Sequence, residues 1–292
     1  MPGFHAADGT HLAYRLLGSG SPLIALPGGP GRNSDYLAGI ADDLPRTLVL
    51  PDHRGTGASA APIDPAGYHV DRIVDDVQAL RRHLNLPKID LLAHSSAANV
   101  GMRYACREPD RLRSLVLVSP SARAAGIAVP DMREALERRK GEPWFPDAKR
   151  AFDAWAASTT IKESLPHRLG AAPFFYGRWD DTARAHATAE DTAVPAAEGF
   201  YRDFPDDADQ VRAGLGRLDA PALVVIGELD PFPTPATGRA LAAVFARAIL
   251  AVQRGAGHYP WLDDPALFAD TVGDFLSTCS VGASPRISDH DH

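Results

Sequence analysis

The chain has 292 residues, 45% of them hydrophobic and 23% charged, with a formal net charge of −7. That is the composition of a globular protein, and a chain of this length removes enough surface from water to need no metal or disulfide staple. The acidic balance argues against a sequence-independent grip on nucleic acid, which needs basic patches, and no apolar run approaches the roughly 20 residues that span a bilayer. Cys106 and Cys279 lie far apart and form no CxxC pair, so they read as free thiols. Met1 to Gly9 lacks a basic region followed by an apolar one, so the expectation is a cytoplasmic protein without a secretory signal.

In chain order, His11–Leu17 reads as a strand after the Asp8-Gly9 turn signal. Leu23–Leu26 is an apolar run that stops at Pro27-Gly28-Gly29-Pro30-Gly31, and Thr47–Leu50 is another that stops at Pro51-Asp52-His53-Arg54-Gly55. Ile73, Val74, Val77, Leu80 and Leu84 recur at helical spacing. Ile89–Leu92 is the next strand, and a helical stretch runs from Ser95 to about Arg107, with Pro109 stopping it. Leu115–Val118, Ala222–Ile226 and Ile249–Val252 complete the strands. Short apolar runs without alternation suit strands buried on both faces of a parallel sheet. Their alternation with helices predicts an α/β fold with right-handed crossovers.

Between Ser121 and about Leu215 this rhythm fails. Trp144, Phe145, Trp155, Phe174, Phe175, Tyr176 and Trp179 sit there among charge-rich helical stretches. Such an excursion is too long for a plain loop, so residues 121–215 are read as a helical lid inserted into a core made of residues 1–120 and 216–279. The polar residues 280–292 read as a disordered tail, and its Asp-His-Asp-His ending as solvated rather than metal-binding.

The stretch Leu91-Leu92-Ala93-His94-Ser95-Ser96-Ala97-Ala98 has the form of a nucleophile elbow: a strand, a sharp turn and a helix. Strand and helix backbones approach closely there, so small residues must flank the nucleophile at −2 and +2. Ala93 and Ala97 fill those positions for Ser95, whereas Ser96 would place bulky His94 at −2. An acid and a histidine must then follow, each beyond a later strand. Asp230 follows Ala222–Ile226, and His258 follows Ile249–Val252. Both fall where open α/β sheets place their sites, at carboxyl ends of strands. The imidazole would take the Ser95 proton while Asp230 fixes its tautomer. An acyl oxyanion also needs two backbone N–H donors, and Gly29 and Ser96 are the candidates. His53 and His94 read as site-wall or packing residues.

Pro27-Gly28-Gly29-Pro30-Gly31 resembles the HGGPG loop of the proline iminopeptidase family of α/β-hydrolases, and Asp52-His53-Arg54-Gly55-Thr56-Gly57-Ala58-Ser59 resembles that family's D-x-RG-x-G-x-S segment. The resemblance spans roughly residues 10 to 278, better in the core than in the lid. Pro27 replaces the family's histidine, the elbow lacks its glycines, and Glu228 stands where an arginine is usual. The resemblance implies an α/β-hydrolase fold and a serine aminopeptidase or amidohydrolase. It further implies that lid acids hold the substrate's free amine: Asp180, after Trp179, and Glu198, in Glu198-Gly199-Phe200-Tyr201. A desolvated ammonium needs such paired carboxylates; solvated helix charges are the alternative for both.

The expectation is a serine hydrolase that removes an N-terminal aminoacyl group from a small peptide or an aminoacylated metabolite. A carboxylesterase-type hydrolase using the same triad on uncharged acyl substrates is the alternative. The expected partner is a small molecule or short peptide, not nucleic acid or membrane, and the chemistry calls for no metal and no cofactor.

Overall fold

The computed structural model describes residues 1–279, so the tail expected over 280–292 lies outside the described residues. The described residues form one eight-stranded sheet: β1 (Gly3–His5), β2 (His11–Gly18), β3 (Pro22–Leu26), β4 (Thr47–Pro51), β5 (Ile89–His94), β6 (Leu112–Val118), β7 (Ala222–Gly227) and β8 (Ala248–Gln253), in the order β1-β2-β4-β3-β5-β6-β7-β8. Strands β4, β3, β5, β6, β7 and β8 run parallel, and β1 and β2 add an antiparallel edge. Helices α1 (Ile40–Asp43), α2 (Val70–His83) and α3 (Ala98–Arg107) follow β3, β4 and β5. Between β6 and β7 come α4 (Met132–Glu137), α5 (Phe145–Ala157), α6 (Ile161–Ala171), α7 (Asp181–Thr188), α8 (Val194–Tyr201) and α9 (Ala208–Leu215). Helix α10 (Pro235–Ala242) joins β7 to β8, and α11 (Pro260–Asp263) and α12 (Pro265–Thr278) end the described chain.

The central strands are apolar without alternation because both of their faces are covered. Successive side chains point to opposite faces. Thus Leu91, Ala93, Leu115, Leu117, Val224 and Ile226 enter one core with α2 and α3, while Leu92, Val116, Val118, Leu223 and Val225 enter the other with α12. Helix α2 carries Val70, Ile73, Val74, Val77 and Leu80 on its buried stripe, and Arg81, Arg82 and His83 in the last turn suit the negative end of its dipole. Strand β8 departs from the expectation of strands buried on both faces. It is the sheet edge, and Ile249 is 58% exposed.

The segment between β6 and β7 has a core of its own, in which Leu136, Ala148, Phe152, Ala171 and Phe174 pack with Trp144, Phe145 and Trp155. Its last helix, α9, instead sends Val211 and Leu215 into the core beneath α3. Among the described residues no helix is long and apolar enough to cross a membrane.

Candidate active site

Ser95 follows the last residue of β5 with φ 54°, a left-handed conformation costing a non-glycine residue about 1–2 kcal/mol. The turn lifts Ser95 out of an otherwise fully buried stretch. Ala93 and Ala97 are 0% and 1% exposed, and alanine suffices at −2 because Gly101 of α3 faces it: a Cβ on Gly101 would lie 3.2 Å from that of Ala93. The close approach that usually demands a glycine on the strand is met by one on the helix. Gly28 is fixed more strictly, since a Cβ there would meet the His94 carbonyl at 2.6 Å and Ser95 Cβ at 2.8 Å.

Asp230 lies three residues beyond β7 and is fully buried. Its Oδ1 accepts from the Phe232 N–H at 2.9 Å, and its Oδ2 lies 2.8 Å from His258 Nδ1. An aspartate oxygen accepts, so Nδ1 carries the hydrogen and Nε2 is left as the basic nitrogen. The His258 N–H donates to the Phe175 carbonyl at 2.8 Å, which ties the histidine loop to the helical insertion. Glycines let these loops touch: a Cβ on Gly227 would stand 2.0 Å from the Gly257 carbonyl, and one on Gly257 2.5 Å from that of Phe175. Ser95 Oγ is without a hydrogen-bond partner among the described residues; Ser–His contacts of hydrolases commonly tighten only around substrate.

A second chain of bonds braces the glycine loop after β3. The Gly28 N–H donates to Tyr36 Oη at 2.6 Å, the Tyr36 hydroxyl meets His94 Nδ1 at 2.8 Å, and His94 Nε2 donates to the His258 carbonyl at 3.0 Å. That carbonyl can only accept, which fixes the His94 tautomer. Burial, with His258 beside it, holds the His94 imidazole well below its ordinary pKa, so it stays neutral. His53 Nε2 lies 3.1 Å from the Pro27 carbonyl and supports the loop where the resembled family carries a histidine in place of Pro27; removal from water brings its pKa down to about 4. The Gly29 N–H is used by no other backbone or side-chain group among the described residues. The Ser96 N–H lies in the first turn after the elbow, where helical donors have no intrahelical partner.

Ser95, His258, Gly29 and Ser96 line one cavity of about 130 Å³. Its apolar wall includes Trp155, Phe175 and Tyr201, and its charged groups are Arg32, Arg168 and Glu190. Arg168 and Glu190 pair at 2.9 Å. Arg32 is only 5% exposed, stacks 4.0 Å over the Tyr36 ring, and has no carboxylate within ion-pair distance among the described residues. Burying a charge costs several kcal/mol, and a desolvated cation–π contact returns about 2.

Asp180 and Glu198 are not in this cavity. Asp180 caps α7, accepting from the Ala183 N–H at 2.9 Å, and its side chain is 49% exposed. Glu198 is on the exposed side of α8, whose Ala196, Ala197, Gly199 and Phe200 are buried. From the Glu198–Tyr201 stretch it is Tyr201 that reaches the cavity, and the one carboxylate of the insertion that does so is Glu190. Glu190, Arg168, Arg32 and Tyr36 went unsingled in the sequence. Arg32 directly follows the glycine loop, which is the only signal that pointed to it; Glu190 carried none.

The sheet, the strained serine and the buried Asp230–His258 pair define an α/β-hydrolase. The chain belongs to that family: the alpha/beta hydrolase fold model matches residues 21–265. It is 24% identical to a proline iminopeptidase of Heyndrickxia coagulans, covering 94% of this chain and 98% of that protein. It is 28% identical to the 2-hydroxymuconate semialdehyde hydrolase of Pseudomonas sp. strain CF600, covering 91% and 90%. An esterase from Exiguobacterium antarcticum superposes with a TM-score of 0.70 at 18% identity, covering 94% of this chain and 98% of that one. The chain is thus a hydrolase by family.

Proposed function

We propose that the protein is a serine hydrolase that cleaves a small ester or related acyl substrate through an acyl-enzyme. The reading rests on the buried Asp230–His258 contact of 2.8 Å beside a serine held at φ 54°. Ser95 Oγ attacks the carbonyl carbon as His258 Nε2 takes its proton, and Asp230 stabilises the imidazolium that forms. The N–H groups of Gly29 and Ser96 receive the oxyanion. Its collapse expels the leaving group, which takes the proton from His258. Water, deprotonated by the same imidazole, then releases the acid and regenerates Ser95. A cavity of about 130 Å³ suits a small acyl group, being below the roughly 300–1,000 Å³ of sites for drug-sized ligands.

The charges of the cavity favour esterase-type chemistry over removal of an N-terminal aminoacyl group. An ammonium would enter a site holding Arg32 and would have only Glu190, already paired with Arg168, to receive it. The aminopeptidase reading keeps one supporting observation, that Glu190 lies in the cavity, together with the proline iminopeptidase relative.

A panel of chromogenic aminoacyl amides, their N-acetylated twins and plain acyl esters separates the two. Ester hydrolysis without cleavage of free-amine amides is expected. Cleavage confined to the free-amine amides would overturn the esterase reading and put Glu190 in the amine site.

A further inference from the structure

Arg32 has more donors than the fold uses. A guanidinium presents five N–H groups in a planar fork, and among the described residues one hydrogen bond is made, from Nη1 to Tyr259 Oη at 3.3 Å. Its ring contacts, 4.0 Å to Tyr36 and 5.9 Å to Tyr259, hold the plane of the fork without spending its donors. Arg168, the other cation of the wall, is neutralised by Glu190 and also donates to Thr192 Oγ1 at 3.0 Å.

The backbone at Arg32 is held independently of the side chain. Arg32 forms a bridge with Thr192 of the insertion, and the Ala193 N–H donates to the Gly31 carbonyl at 2.8 Å. The loop that carries Gly29 is therefore held by main-chain bonds as well as by Tyr36, on whose ring the guanidinium stacks. Arg32 is thus a buried cation lining the cavity that holds Ser95, with no carboxylate in ion-pair distance among the described residues and Glu190 acting on it only at longer range, an arrangement suited to an anion.

We propose that Arg32 binds a carboxylate carried by the substrate, so that this enzyme selects acyl compounds bearing a second, free acid group. The proposal rests on the hydrolase site described above. The planar fork matches a carboxylate bidentately, and the adjoining aromatic faces exclude the water that would otherwise weaken the pair.

Two ester pairs test it, each differing in one carboxylate: mono-4-nitrophenyl glutarate against 4-nitrophenyl pentanoate, and 4-carboxyphenyl butyrate against phenyl butyrate. The wild-type protein is expected to prefer the anionic member of at least one pair by tenfold or more in kcat/KM. In Arg32→Gln that preference falls to within about threefold of parity, through KM, because the anionic esters are slowed several-fold more than the neutral ones. Arg32→Lys, with charge but no fork, lies between. Absence of any anionic preference in wild type overturns the proposal, as does an equal slowing of anionic and neutral esters in Arg32→Gln, which would make Arg32 a support of the loop. If no ester is hydrolysed, the ester-cleaving reading fails separately. Calorimetric titration of glutarate into Ser95→Ala and into Ser95→Ala with Arg32→Gln then decides the matter: binding lost with Arg32 upholds the anion site, and equal or absent binding overturns it.

Discussion

His94 Nε2 donates to the main-chain carbonyl of His258 at 3.0 Å, so the residue before the serine holds the loop of the histidine that would activate it. Through Tyr36 the same ring reaches the Gly28 N–H, linking the elbow, the glycine loop and the His258 loop. His94→Ala should therefore leave a folded protein with kcat reduced about 10- to 100-fold, the cost of a misplacement on the order of 1 Å. KM for a neutral ester should change less than kcat. Steady-state kinetics beside circular dichroism check this, and an unchanged kcat would remove His94 from any positioning role.

The triad itself makes a sharper claim. Ser95→Ala should lower kcat on the order of 10⁶-fold, and Asp230→Asn on the order of 10⁴-fold, because an amide at that position favours the wrong imidazole tautomer. Ser95→Gly, which relieves the strain at φ 54°, should be more stable than Ser95→Ala by about 1 kcal/mol in urea unfolding. Equal stability of the two would mean that the turn stores no strain.

One buried and two half-buried histidines make the fold acid-sensitive. His53, His94 and His186 are held below the ordinary value of 6.5, chiefly by loss of water, His53 to about 4 and His186 to about 3. Between those values and 6.5 the unfolded chain binds protons that the folded chain does not, so stability rises with pH across that window. It is fully present above about pH 6.5 and is lost as pH falls. Unfolding at pH 5 should take up close to three protons from these groups, and Tm should fall steeply from pH 7 to pH 5. A Tm that is flat across that interval would show the three rings already charged in the folded state.

Asp180 and Glu198 bear on the difference between motif and surface. Asp180→Asn with Glu198→Gln should leave kcat/KM on every substrate within about twofold, because neither side chain enters the cavity. Asp180→Ala should cost about 1 kcal/mol through the lost cap on α7, where Asn can still accept from the Ala183 N–H. A large rate loss on free-amine substrates in the double amide variant would place the amine site at these two acids.

How much of this was legible follows from where each signal resides. Strands β3 to β7 announce themselves because a central strand covered on both faces must be an unbroken apolar run, while β2 and β8 show through a turn signal and a short apolar run at the sheet's margins. β1, three residues pairing only with β2, has no such run. The elbow is legible through Ala93 and Ala97, and the order of Ser95, Asp230 and His258 places the other two. The insertion is different. Which side of α8 faces the cavity depends on how the helix is rolled by Phe200 against the core and Ala197 against the Gly31 loop, and that packing turns Tyr201 inward and Glu198 out. Arg32 is visible as a charge after a glycine loop, but its burial is completed by Tyr259 and the bridge to Thr192, which lie far from it in sequence, beside Tyr36 four residues on.

Asp263 ties the insertion to the His258 loop. Its carboxylate accepts from the Gly177 N–H at 3.0 Å and from the Gly257 N–H at 2.8 Å, next to His258. Arg178 adds a bond from its guanidinium to the Asp263 carbonyl at 3.1 Å. A substitution that removes the carboxylate leaves two main-chain donors without partners, each worth about 1–3 kcal/mol when buried. Asp263→Ala should thus lower stability by about 2–4 kcal/mol and reduce kcat as the His258 loop loosens, while Asp263→Asn, which keeps an acceptor, should recover part of both. The two effects separate by temperature. Well below Tm, where the variant is fully folded, a kcat equal to wild type would show that the tether serves stability alone. A kcat still depressed there, with the Asn variant between, would show that the bond from Gly257 to Asp263 sets the position of His258.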